Sequence, residues 1–378
     1  MRRHPAFVSL FSLALLAFSA LSAVNSAWGK VQPSTHHKKT VQKQAPHKTP
    51  SSNQTYAQRQ DAQQWAHDFA NRQGLPEAWV QAAVADAHML PSVVRLVTPS
   101  SKPSAKNWAA YRERFIEPKR IAAGLAFWQA HAADLTRAEE TYGVPAHIIV
   151  GILGVETLYG QNTGNFRILD ALTTLAFDFP SAHPRAQERQ AFFRKELEQF
   201  LVLTYNNHAD PRSLKGSYAG AMGLPQFMPS SWRQYAVDFD GDERIDLWNS
   251  PTDAIGSVAN YFRSFDWRAH QPTHFDVQVQ STAEQLEQLL LPDILPTFNA
   301  QDMQAMGLKL PVAANTYPGK LALIELRNGE DKPSFVVGTD NFYAVTRYNW
   351  SSYYAMAVIE LGQAIAHERS ATLTAKAP

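Results

Sequence analysis

The sequence contains no cysteine in 378 residues, which excludes disulfides, thiolate metal sites, a cysteine nucleophile and a cysteine-linked lipid anchor. It has almost no net charge: 35 Lys and Arg against 34 Asp and Glu leave a formal +1, and with no RNA-binding or zinc-finger signature nothing points to nucleic acid. Phosphate-binding glycine loops, the dinucleotide glycine pattern, an HExxH helix and a GxSxG elbow are missing too, so the enzyme classes built on them drop out. After Lys30 no apolar run is long enough to span a bilayer. What is present is 45% hydrophobic and 11% aromatic residues, enough for a sizeable core in two or three units.

The N-terminus, MRRHPAFVSLFSLALLAFSALSAVNSAWGK, opens with Arg2 and Arg3, runs apolar from Phe7 to Val24 and ends in small residues. This is the pattern of an export signal over residues 1–26, with cleavage after Ser22 or Ser26. The competing reading is an uncleaved membrane tether. Residues 31–60 carry five Lys or Arg, no acid and almost nothing apolar, so residues 27–60 are expected to form a disordered basic linker. Its charge would also suit an anionic polymer or membrane surface. His36 and His37 beside Lys38 and Lys39 are a weak metal signal.

From Asp61 the patterning is helical: WAHDFANRQ, EAWVQAAVADA and KRIAAGLAFWQAHAADLTRAEETYG, interrupted by PSSKPS. A helical domain is expected over residues 61–145, joined by a closing helix at 350–370. In QERQAFFRKELEQFLVLTYNN, residues Phe192, Phe193, Leu197, Phe200 and Leu201 share one helical face and read as core. Between about 270 and 340 the texture changes to short runs such as HFDVQVQ, KLALIELRN and PSFVVGTDNFYAV, which predict strands and a small β-rich domain over 269–345. The fold class is therefore α+β and mainly helical.

One acid stands out. In YGVPAHIIVGILGVETLYGQ, Ile148, Ile149, Ile152 and Val155 follow helical spacing, and Glu156 falls among Ile152, Leu153, Tyr159 and Gly160. Such surroundings strip water from a carboxylate and raise its pKa, as a general acid near neutral pH requires. A buried structural Glu, satisfied by an Arg or by backbone N–H groups, fits the helix equally well. Two further stretches have the makings of a saccharide groove. LKGSYAGAMGLPQFMPSSW carries close glycines with Ser217, Tyr218, Gln226 and Phe227, and NFYAVTRYNWSSYYAM is crowded with Tyr and Asn. Flat rings stack on the C–H faces of sugars while amides and phenols bond their hydroxyls.

These stretches, together with YAVDF-x-GD and DAIGSVANYF, resemble the lytic murein transglycosylase B family from about Asp61 to Ala366. The resemblance implies a lysozyme-like core over residues 146–268, and an exported enzyme that cleaves the MurNAc-β-1,4-GlcNAc bond of peptidoglycan without water, leaving 1,6-anhydro ends. It assigns the single catalytic acid and base to Glu156. It carries substrate contacts over to Tyr111, Ser217, Gln226, Tyr348, Asn349 and Tyr354, and one arginine of the family's pair to Arg189, whose neighbour here is Glu188. Leu224-Pro225 stands where the family tends to have Tyr-Gly. The missing lipid-attachment cysteine implies a soluble periplasmic form, with peptidoglycan strands and cell-wall synthesis or hydrolysis complexes as partners, and no cofactor for catalysis.

DFDGDERIDLWNSPTD spaces Asp238, Asp240, Asp242 and Asp246 as positions 1, 3, 5 and 9 of a calcium loop, with the Arg244 carbonyl at position 7. Glu243 replaces the usual glycine and Asn249 the closing glutamate, so Asp253 is the candidate to close the site. A structural calcium ion is expected there, and the resembling family has such a loop. Two alternatives stay open for the whole chain. One is a lysozyme-like hydrolase, which needs a second carboxylate such as Asp170 or Asp178; the other is a murein-binding protein without activity.

Overall fold

The computed structural model describes residues 54–99 and 106–375. The expected export signal and the linker up to residue 53 lie outside the described residues. In chain order the helices are α1 (Gln60–Gln73), α2 (Glu77–Asp86), α3 (Pro91–Val97), α4 (Trp108–Glu113), α5 (Pro118–Ala130), α6 (Ala132–Tyr142), α7 (Ala146–Thr157), α8 (Ile168–Phe177), α9 (Ala186–Asn206), α10 (Pro229–Tyr235), α11 (Pro251–Ser264), α12 (Ala283–Leu290), α13 (Ala300–Ala305), α14 (Val312–Asn315), α15 (Asp340–Tyr348) and α16 (Ser352–Ala375). The strands are β1 (Phe166–Arg167), β2 (Lys215–Gly216), β3 (His274–Asp276), β4 (Gln278–Val279), β5 (Leu308–Lys309), β6 (Ala322–Asn328) and β7 (Asp331–Gly338). Among the described residues no helix is long and apolar enough to cross a membrane.

Helix α7 is buried on every side, with Ile148, Ile149, Val150, Ile152 and Leu153 fully enclosed. A helix apolar all round belongs in the middle of a core, and α16 lies directly against this one. Gly151 faces the Val358 carbonyl and Gly362 of α16 faces the His147 carbonyl, each so closely that a Cβ would strike backbone. The glycines therefore set the spacing of the two helices. Around this pair, α5, α6, α8, α9, α11 and α15 contribute to one large apolar core.

A second, smaller core gathers Leu289, Ala300, Met303, Leu308, Leu321, Leu323 and Val337. It packs under the antiparallel sheet β3-β7-β6, registered His274↔Gly338 and Leu323↔Val337. The strand expected to continue through NFYAV stops at Gly338. Thr339 turns the chain there, its hydroxyl accepting the backbone N–H groups of Asn341 and Phe342 and so starting α15.

Order begins before Asp61, and this shortens the linker expected to reach residue 60. Tyr56 is 1% exposed, and its hydroxyl donates to Asp178 Oδ2 at 2.5 Å while Arg59 Nη1 donates to Oδ1 at 2.5 Å. A polar sequence hid one aromatic anchor.

Candidate active site

Glu156 sits in the last turn of α7, where the helix stops abruptly. Leu158, Tyr159 and Gly160 have φ of 51°, 58° and 88°, three left-handed residues in succession, two of them with a Cβ that disfavours the conformation. The turn is held from several directions. Tyr159 N–H reaches back to Leu153 O, Gly160 N–H donates to Thr157 Oγ1, and the Thr157 hydroxyl donates to Leu224 O at 2.9 Å. Thr157 thus fastens α7 to the glycine-rich loop after β2.

Glu156 is 7% exposed. Its Oε1 accepts a hydrogen bond from Tyr354 of α16 at 2.5 Å, and Oε2 is buried without a partner. Burial pushes the pKa up to about 8, against the lowering effect of the Tyr354 hydroxyl. A carboxyl so placed carries its proton at neutral pH. Among the described residues no arginine and no backbone N–H group is paired with it, unlike the buried, satisfied Glu of the structural reading.

Three of the expected contacts converge here. Tyr354 and Tyr348 are raised well above the usual phenol range, first by burial and then by Glu156; Tyr111 is pushed up to about 12 for the same two reasons. The rings of Tyr348 and Tyr354 stack at 6.4 Å and 15°, and Tyr111 leans on Trp108, Phe115 and Tyr353. Tyr348 donates its hydroxyl to Pro225 O at 2.5 Å, which ties α15 to the glycine-rich loop. Asn349 follows at the end of α15, half-buried, in extended backbone.

In that loop Ser217 is buried, its Oγ accepting the N–H groups of Ala219 and Ala221. Gln226 adopts φ 51° and donates its amide to Thr163 O and Gly223 O. Leu224 is 5% exposed and packs on Gly160, so the departure at Leu224-Pro225 puts an apolar side chain under the wall. Arg189 is buried over the rings of Phe192 and Phe193, with Tyr218 as an electrostatic neighbour; Glu188 turns away to Arg185.

The candidate second carboxylates are occupied elsewhere. Asp170 Oδ1 accepts Arg167 Nη2 at 2.6 Å and the His88 N–H at 2.8 Å, and Asp178 holds Tyr56 and Arg59. Neither candidate is hydrogen-bonded to Glu156, whose one side-chain partner among the described residues is Tyr354.

Residues 57–363 match the family described as Transglycosylase SLT domain. The chain belongs to the SLT transglycosylase family. It is 41% identical over 325 residues to membrane-bound lytic murein transglycosylase B of Escherichia coli, covering 83% of this chain and 85% of that protein. The E. coli lytic transglycosylase Slt35 in complex with calcium superposes with a TM-score of 0.72 at 39% identity, covering 84% of this chain and 96% of that one. SltB3 of Pseudomonas aeruginosa in complex with NAG-anhNAM-pentapeptide superposes with a TM-score of 0.67 at 30% identity, covering 81% and 80%. The SLT transglycosylase fold is mainly helical and α+β, as the sequence pattern predicts, and lysozyme-like, as the family resemblance implies.

The acidic loop of this SLT transglycosylase brings three of its expected ligands together. Ligand oxygens of Asp238, Asp240 and Asp253 lie within 4.8 Å of one another. Asp242 caps the Arg244 N–H, and Asp246 accepts the N–H groups of Trp248 and Asn249; neither carboxylate belongs to that group. Glu243, where such loops have glycine, takes φ 68°, the conformation glycine would supply. The donor set is all carboxylate oxygen, which fits a hard cation such as calcium.

Sequence reasoning passed over Gly151, Gly362 and Thr157, which set how α7 lies against α16 and the glycine-rich loop. The glycines did leave a signal: a small residue in the middle of an apolar helix marks a close helix contact.

Proposed function

We propose that this chain is a peptidoglycan lytic transglycosylase in which Glu156 serves as both acid and base. The observation that carries the proposal is the buried carboxyl with Oε2 unpartnered, while Asp170 and Asp178 are engaged by Arg167, Tyr56 and Arg59. Protonated at neutral pH, Glu156 gives its proton to the glycosidic oxygen between MurNAc and GlcNAc as the C1–O bond breaks. The resulting carboxylate takes the proton of the MurNAc C6 hydroxyl, whose oxygen bonds to C1 and closes the 1,6-anhydro ring. Hydrolysis would call for a second carboxylate to activate water or to attack C1. An internal hydroxyl makes one sufficient.

Tyr354 orients the carboxyl and steadies its anionic form between the two steps. Tyr111, Tyr348 and Asn349 line the groove, Ser217 and Gln226 offer polar groups from the opposite loop, and Arg189 faces the acidic part of the substrate. Asp238, Asp240 and Asp253 hold a structural calcium ion, in keeping with the calcium complex of Slt35. The division into a helical domain (61–145 with 350–370), a catalytic core (146–268) and a β-rich domain (269–345) belongs to the same reading. So does a cell-envelope location, which the membrane-bound relative supports, with the soluble periplasmic form as its finer statement.

Mass spectrometry of muropeptides released from purified peptidoglycan tests this. Products lighter by one water than hydrolysed ones, absent with Glu156→Gln, are expected. Reducing-end products would replace the reading with hydrolysis, and no products from folded protein would leave a binding protein.

A further inference from the structure

The turn that follows Glu156 is strained, and backbone strain persists only where neighbours over-determine it. One neighbour has no other evident task. Arg120 of α5 directs Nη1 at the Gly154 carbonyl, 2.5 Å away. That carbonyl, two residues before Glu156, also accepts the Leu158 N–H. Arg120 forms no ion pair among the described residues. Its Nε is buried without a partner, and its guanidinium lies 5.3 Å from the Phe115 ring centre. Beside it the Tyr159 hydroxyl is buried without a partner too, on a ring stacked 5.1 Å from Phe127.

Glu117 and Tyr159 are the electrostatic neighbours of this cation, and the Gly154 carbonyl is its hydrogen-bond acceptor among the described residues; a cation taken partly out of water is costly unless such a bond compensates it. The Gly154 carbonyl lies at the negative end of the α7 dipole, where a cation is favourable. We propose that Arg120 is a positioning residue for Glu156: it holds the last turn of α7 in register, so that the carboxyl meets the glycosidic oxygen. This rests on the transglycosylase reading above. Arg120 does not touch substrate in this proposal; it acts through the backbone of α7.

The test uses the full chain acting on solubilised glycan strands, with anhydro ends counted by mass spectrometry. Arg120→Met keeps the length and removes the charge and the donors. Its kcat is expected to fall at least tenfold with KM within twofold of the parent, in protein that remains folded at the assay temperature. Arg120→Lys, which keeps the charge, recovers kcat to within about threefold. A kcat for Arg120→Met within twofold of the parent, or a loss confined to KM, overturns the proposal, as does Arg120→Lys failing as completely as Arg120→Met. If Arg120→Met does not fold, Arg120→Gln takes its place under the same criteria. A parent protein that releases no anhydro product would count against the transglycosylase reading instead.

Discussion

Tyr354 Oη stands 2.5 Å from Glu156 Oε1, joining residues 198 apart in the chain on helices α16 and α7. A hydroxyl that donates to a carboxylate favours the anion. Replacing Tyr354 with Phe therefore raises the Glu156 pKa above its already elevated value. The alkaline limb of the kcat/KM profile is expected to move upward by up to about one unit, and kcat to fall by roughly 10- to 100-fold. A profile unchanged in shape and position would mean that the hydroxyl does not act on the acid.

Glu156 in the folded protein releases its proton near pH 8, against an ordinary value of 4.5. The folded state thus binds the proton more tightly than the unfolded one, and stability is lost as pH rises from about 4.5 to about 8. Glu156→Gln removes that loss. The variant should be inactive yet more stable at pH 7 by on the order of 2–3 kcal/mol, with the gain vanishing near pH 4. Urea unfolding at the two pH values measures it. An equal gain at both would assign the effect to packing.

Gly151→Ala drives a methyl group into the Val358 carbonyl. Because the obstacle is helix backbone, α16 must shift and take Tyr354 with it. A loss of about 1–3 kcal/mol in stability is expected, together with reduced kcat. Gly74→Ala is a poor control despite its open surroundings, because φ there is 66° and alanine would be strained for a separate reason.

Calcium should raise the unfolding temperature by several degrees, and a chelator should reverse the rise. Asp238→Asn combined with Asp240→Asn removes two of the three grouped carboxylates and should abolish the response. Asp253 is unsuited to this test: it accepts the N–H groups of Phe239, Asp240 and Asp246, so its loss damages the loop with or without an ion. Indifference of the parent to calcium would leave the loop a turn held by its own hydrogen bonds.

The sequence revealed what periodicity and residue chemistry can carry. Helix α7 shows in its apolar spacing, and an acid inside that run is conspicuous because charge is costly there. The β-rich region shows in its alternation and turns. Contacts between distant segments are another matter. Nothing near Tyr56 announces that Asp178 is its partner, and nothing near Arg120 points to the Gly154 carbonyl, because each depends on helices brought together by the fold. NFYAV reads as a strand from its β-prone residues, yet the Thr339 cap overrides that preference. The acidic loop advertised five side chains by spacing, while the folded loop gathers the oxygens of three of them, Asp238, Asp240 and Asp253.

The pairing of α7 with α16 also fixes when the protein becomes dangerous to its own surroundings. A ribosome has made Glu156 long before it reaches Tyr354, and the carboxyl has no hydroxyl partner until the final helix docks. A nascent or truncated chain carries the acid without the hydroxyl that aims it. The hydroxyl beside the acid arrives with the last two dozen described residues, after the helix that carries the acid has been built.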